Sequence, residues 1–118
     1  MSSGSRLELL LDTHALLWWL AEPDRLSPAA HGAIANPANR VHVSAAPGWE
    51  IATKVRLGKL PAVSALLDDL PHLLAAQGFE PLPVTLVHGL QAGRYPMAHR
   101  DPFVRLLAAQ AELGGLLW

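Results

Sequence analysis

Leu7-Glu8-Leu9-Leu10-Leu11-Asp12-Thr13-His14-Ala15-Leu16-Leu17-Trp18-Trp19-Leu20 is the stretch on which the fold turns. Its first five residues are an apolar run interrupted by one acid. A strand covered on both faces is apolar without alternation, so the run predicts a buried parallel strand. Asp12, Thr13 and His14 then bring an acid, a hydroxyl and an imidazole together where the strand ends. Open α/β sheets place their ligand sites at that carboxyl edge. Asp12 also has a simpler use, because its side-chain oxygen can cap the next helix by accepting a free backbone N–H. That helix is predicted from His14 to Ala21, with Leu16, Trp19 and Leu20 on one face at i, i+3, i+4 spacing. Pro23 ends it, since proline cannot continue a helix interior.

The pattern repeats outward from this unit. Ser27-Pro28 opens a second helix as N-cap and first helical residue, and Asn36-Pro37 stops it. Val41-His42-Val43-Ser44 alternates and is β-branched, which predicts a second short strand. Ser44 opens a third helix, Ala45 to about Gly58, with Ile51 and Val55 inward. Glu50 stands four residues before Lys54 in that helix. It is either the surface ion-pair partner of Lys54 or a carboxylate facing the Asp12 end of the sheet. Val63 to Gln77 predicts a fourth helix, kinked or broken at Pro71. Phe79 to Val84 predicts a third strand, short or at an edge because of Pro81 and Pro83. Thr85 caps a short helix, and Asp101-Pro102 opens the last one, whose inner face is Phe103, Leu106, Leu107 and Ala111. Gly114-Gly115 ends it, and Leu116-Leu117-Trp118 reads as a strand stub. Strands alternating with helices predict an α/β fold, a mainly parallel sheet with helices on both faces.

Composition narrows the functional classes. A chain of 118 residues that is 51% hydrophobic can bury a core, which sets it apart from a disordered tail. Residues 1–5 read as a flexible lead and residues 6–118 as a single domain. No apolar run approaches the ~20 residues that span a bilayer, and the lead lacks the pattern of a signal peptide. The absence of cysteine excludes disulfides, thiolate metal sites and cysteine nucleophiles. These features predict a cytoplasmic protein. A net charge of −1 is not that of a protein coating long nucleic acid, although Lys54, Arg56 and Lys59 cluster, as do Arg94, Arg100 and Arg105. Six histidines show no paired zinc-ligand spacing on a helix.

Three segments together resemble the PIN domain family, specifically the VapC-like toxins of toxin–antitoxin pairs. They are Leu9-Leu-Leu-Asp12-Thr13-His14-Ala-Leu-Leu-Trp-Trp19, Val43-Ser44-Ala-Ala-Pro-Gly-Trp49-Glu50-Ile-Ala-Thr-Lys54-Val-Arg-Leu-Gly58-Lys-Leu60, and His99-Arg100-Asp101-Pro102-Phe103-Val104-Arg105-Leu-Leu-Ala-Ala-Gln110-Ala111. The similarity runs from about Leu7 to Gly115. It implies a three-layer PIN-like fold and a metal-dependent endoribonuclease whose acids hold Mg²⁺ or Mn²⁺. Asp12 and Glu50 match the family's first two acids and are the expected catalytic residues and metal ligands, with Asp101 as a further metal ligand. Thr13 and Ser44 are expected to support the acids or to cap helices. Lys54, Arg100 and Arg105 are expected to bind the RNA substrate, with His14 and His99 near its phosphates.

Two departures qualify this expectation. Val104 stands at the position of the family's third acid, three residues beyond Asp101, and a Thr-x-Asp segment that carries the fourth acid has no counterpart. The C-terminal part of the fold is therefore expected to be shortened and the nuclease activity impaired. The alternative is a catalytically inactive PIN-fold module that binds an antitoxin or associates with itself. A metal-dependent DNA nuclease is a third reading. Trp18, Trp19 and Trp49 are expected either to fill the core or to anchor a homodimer or an antitoxin complex.

Overall fold

A computed structural model describes residues 6–96 and 101–117. The order of elements is β1 (Glu8–Leu11), α1 (Thr13–Ala21), α2 (Pro28–Ala35), β2 (Arg40–Ser44), α3 (Ala45–Arg56), α4 (Leu70–Ala76), β3 (Glu80–Leu82), α5 (Leu86–Arg94) and α6 (Pro102–Gly114). A 3₁₀ turn at Pro23–Arg25 follows α1, and a longer 3₁₀ segment at Pro61–Asp69 precedes α4. Among the described residues no helix is long and apolar enough to cross a membrane.

The three strands form one parallel sheet in the order β1-β2-β3. Leu9 lies opposite Val41 and Leu11 opposite Val43, so the two apolar runs meet at the centre. Leu9, Leu10, Leu11, Val41 and Val43 are all buried, as a strand covered on both faces requires. β3 is an outer strand, and its Pro81 lacks the N–H that a central strand would need. Leu117 adds a one-residue parallel bridge to Leu9 on the free side of β1. There Leu10 N–H donates to the Leu117 carbonyl at 2.9 Å, and Leu117 N–H donates to the Glu8 carbonyl at 2.7 Å.

Leu16, Ile34, Ile51, Val63 and Phe79 pack with the sheet residues into the main core. Trp19 and Leu20 are partly buried against it, which gives α1 the inner face its spacing called for. Trp19 lies 5.9 Å from Phe79 between ring centroids. The segment from Val63 to Gln77, expected as a helix kinked or broken at Pro71, is divided just before that residue, but not into two α-helices. Its first half is 3₁₀, and Pro71 sits in the first turn of α4, where the missing N–H removes no intrahelical bond.

α5 and α6 are tied by polar contacts. The Arg105 Nη2 donates to the carbonyls of Ala92 and Tyr95 at 2.7 and 2.8 Å. Both carbonyls belong to the C-terminal turn of α5, where unsatisfied acceptors and the helix dipole favour a cation. Gln91 and Tyr95 both donate to Glu112 Oε1, and the fully buried Gln110 donates to the Pro83 carbonyl. Gly115 ends α6 at φ +65, a left-handed conformation that glycine adopts without strain.

At the end of the sheet away from Asp12, ion pairs cross the strands. Glu8 pairs with His42 at 3.0 Å and with Arg6 at 3.7 Å, and Arg40 pairs with Glu80 at 3.3 Å. The hydrogen bond from His42, reinforced by Arg40 and Arg6, holds the Glu8 carboxyl below its ordinary value of 4.5 despite opposing desolvation. A depressed carboxyl adds stability above its unfolded pKa and loses it as pH falls through the folded one. Thermal melts from pH 6 to pH 3 should therefore show Glu8→Gln less stable than the native chain at the upper end. The gap should close below pH 4.5, and a gap constant with pH would contradict this account.

Candidate active site

The carboxyl ends of β1 and β2 present Asp12 and Ser44, each the N-cap of the helix that follows. Asp12 Oδ1 accepts from the Ala15 backbone N–H at 2.7 Å, which leaves Oδ2 for a ligand. Thr13 is the first residue of α1 and is buried. Its hydroxyl donates to Glu50 Oε1 at 2.6 Å, across from α1 to α3. Lys54, one turn further along α3, meets Glu50 Oε2 at 3.0 Å. The Glu50 side chain is only 15% exposed, and both its oxygens are engaged. A carboxylate so far from water needs such partners, because burial disfavours an unpaired charge.

Asp12, Thr13, His14, Glu50, Asp101, Phe103, Val104 and Leu107 line one small cleft of about 90 Å³. α6 brings the last four of these to the sheet edge. Asp101 caps that helix, its Oδ1 accepting from Phe103 N–H at 2.9 Å. Three acids thus border a single cleft, with an apolar wall where Val104 stands. Among the described residues no group of three or more histidine or acid side chains is placed to hold a metal ion.

The remaining expected residues fall elsewhere. Ser44 is buried, accepts from Ala46 N–H at 3.0 Å and borders a separate apolar hollow with Leu16, Val43 and Leu74. Lys54 contacts Glu50, so its charge is directed at the carboxylate. Arg105 points its guanidinium at the end of α5, as described above. Arg100 and His99 lie outside the described residues. Of the tryptophans, Trp18 and Trp19 are half-buried, while Trp49 is 63% exposed and edges against Phe103 at 5.0 Å. Phe103 and Leu107 were legible only as core positions of the last helix. Their i, i+4 spacing around Val104 is the signal that one stripe of α6 faces the acids.

A family model described as PIN domain matches residues 9–117, nearly the whole chain. Searches among curated proteins and among solved structures returned no significant match.

Proposed function

The chain belongs to the PIN domain family, nuclease domains that in general use divalent metal ions, and on that premise we propose that it is a metal-dependent endoribonuclease of the VapC-like toxin type, with activity reduced in this sequence. The observation that carries the reading is the meeting of Asp12, Thr13, Glu50 and Asp101 on one cleft at the carboxyl edge of a parallel sheet.

The donor set suits a hard cation that keeps most of its water. Mg²⁺ takes oxygen ligands and is commonly held by one or two carboxylates, with water completing the octahedron. Asp12 offers Oδ2, and Glu50 offers Oε2 once Lys54 swings aside. Such an ion, when bound, supplies a water of lowered pKa and positive charge beside a phosphate. The chain's own groups do the positioning. Thr13 fixes the Glu50 rotamer through its hydroxyl, and the Ala15 N–H fixes that of Asp12. Lys54, half-exposed beside Glu50, can turn its ammonium toward a substrate phosphate.

A second reading is favoured by the same cleft. Val104 cannot coordinate, and both Glu50 oxygens are already satisfied within the protein. A PIN-fold module without activity would keep its fold and bind a partner, either a small antitoxin or a second copy. Exposed Trp49 and the exposed Leu86, Val87 and Leu90 on α5 supply apolar surface for such contacts. In either reading the protein works in the cytoplasm.

The deciding experiment incubates the purified protein with RNA and with DNA of the same sequence, in Mg²⁺, in Mn²⁺ and in chelator. Metal-dependent RNA cleavage that disappears in Asp12→Asn is expected. Cleavage of DNA alone would make it a DNA nuclease, and no cleavage in either metal would leave the partner-binding module.

A further inference from the structure

Asp12 and His14 stand on a ridge. One side of it is the acid cleft, and the other is an open groove of about 620 Å³ whose lining also includes Trp18, Arg25, Leu26 and Ser27. Its size is that of pockets that accept small organic ligands. Its lining is layered. The exposed His14 ring lies 5.7 Å from the Trp18 ring at 45°, and the Arg25 guanidinium sits 5.3 Å over the Trp18 centroid. Arg25 is otherwise paired only with Glu22 among the described residues, at 3.4 Å and with both side chains more than half exposed. A pair of that kind contributes little and exchanges readily.

We propose that this groove is a nucleotide subsite for single-stranded RNA. It seats the nucleotide next to the cleaved linkage, with the base against the His14 and Trp18 rings and a phosphate at Arg25. The proposal rests on the ribonuclease reading and names where its substrate lies. Three features favour an RNA strand over a peptide. Stacking surfaces and a guanidinium are the two elements by which proteins hold unpaired nucleic acid. The groove shares two residues with the cleft of the acids, so one strand can occupy both. Among the described residues Arg25 carries the one guanidinium of the lining, and its exposed pair with Glu22 can give way to a phosphate.

The test measures binding of a short fluorescent RNA by anisotropy, in chelator and at low salt, so that cleavage plays no part. Arg25→Gln and Trp18→Leu are each expected to weaken binding roughly 10-fold, and Trp18→Phe much less. Arg25→Gln should also flatten the plot of log affinity against log salt by about 0.7, the loss of one phosphate contact on a single strand. An abasic nucleotide moved along the RNA should weaken native binding at one position. That position effect should vanish in Trp18→Leu, a result that mere destabilisation would not give. Native protein that binds RNA with the same affinity as Arg25→Gln and Trp18→Leu would overturn the subsite and leave the ribonuclease reading standing. So would a change confined to self-association. Native protein that neither binds nor cleaves RNA would overturn both.

Discussion

Val104→Asp is expected to raise Mg²⁺-dependent RNA cleavage by on the order of 10²-fold, taking one positioned charge as worth about 3 kcal/mol in the transition state. Val104 lines the acid cleft from the first turn of α6 and offers it neither a ligand atom nor a hydrogen bond. Asp101, like Asp12, caps its helix with Oδ1 and keeps Oδ2 for the cleft, but it stands at the head of α6 and leaves the place of Val104 without a carboxylate. An aspartate at position 104 would suit the helix, since acids are favoured in the first turn. It would also crowd the other carboxylates when no cation is present. The variant should therefore melt lower than the native chain in chelator and gain more from added Mg²⁺. Calorimetry of Mg²⁺ binding, paired melts and RNA cleavage all read this directly. Equal Mg²⁺ response and equal cleavage in the two proteins would mean that the site is already complete without position 104.

Leu16→Ala should destabilise the fold by about 3–5 kcal/mol, the range seen when a fully enclosed leucine is truncated and its cavity does not collapse. Leu16 has no exposed surface and packs in the core with the residues of β1 and β2. It is also the inner residue of the helix whose first turn carries Thr13 and whose cap is Asp12. Leu16→Met keeps volume and polarity and should cost less than about 1.5 kcal/mol. Urea unfolding of the three proteins measures both values. A loss below 1 kcal/mol for alanine would show that α1 can shift into the space, and with it the two site residues.

What the sequence made legible follows from which forces act locally. Leu9–Leu11 and Val41–Val43 announce a doubly covered parallel sheet by apolar runs alone. Asp12, Ser27, Ser44, Thr85 and Asp101 announce helix starts, because a cap is a local hydrogen bond. The 3₁₀ segment Pro61–Asp69 was not legible, since apolar spacing does not fix whether bonds span three residues or four. Nor was buried Gln110, whose residue type predicts surface and whose amide is held by a carbonyl 27 positions away. In the site, the carboxylates Asp12 and Glu50 were visible from the strand ends they follow. The i, i+4 spacing also offered the Glu50–Lys54 pair, and the structure holds it together with the cleft position that was its alternative. The role of Arg105 in capping α5 was not legible, because it depends on how helices pack.

The bridge between Leu9 and Leu117 joins residues separated by almost the whole sequence. Contacts of that separation require the largest loop closure and form late in folding. β1 and β2 can pair as soon as residue 44 has been made, and the acids of α1 and α3 can meet soon after. α6, which closes the cleft, and the bridge that covers the free side of β1 wait until residue 117 has been made. Until then β1 carries an open edge, which invites another strand. The chain is thus most prone to misassociate before residue 117 has been made, and its cleft is completed only after α6 has formed. Refolding rates should accordingly respond far less to changes at Leu117 than unfolding rates do, because a contact made after the transition state acts on escape from the native state alone.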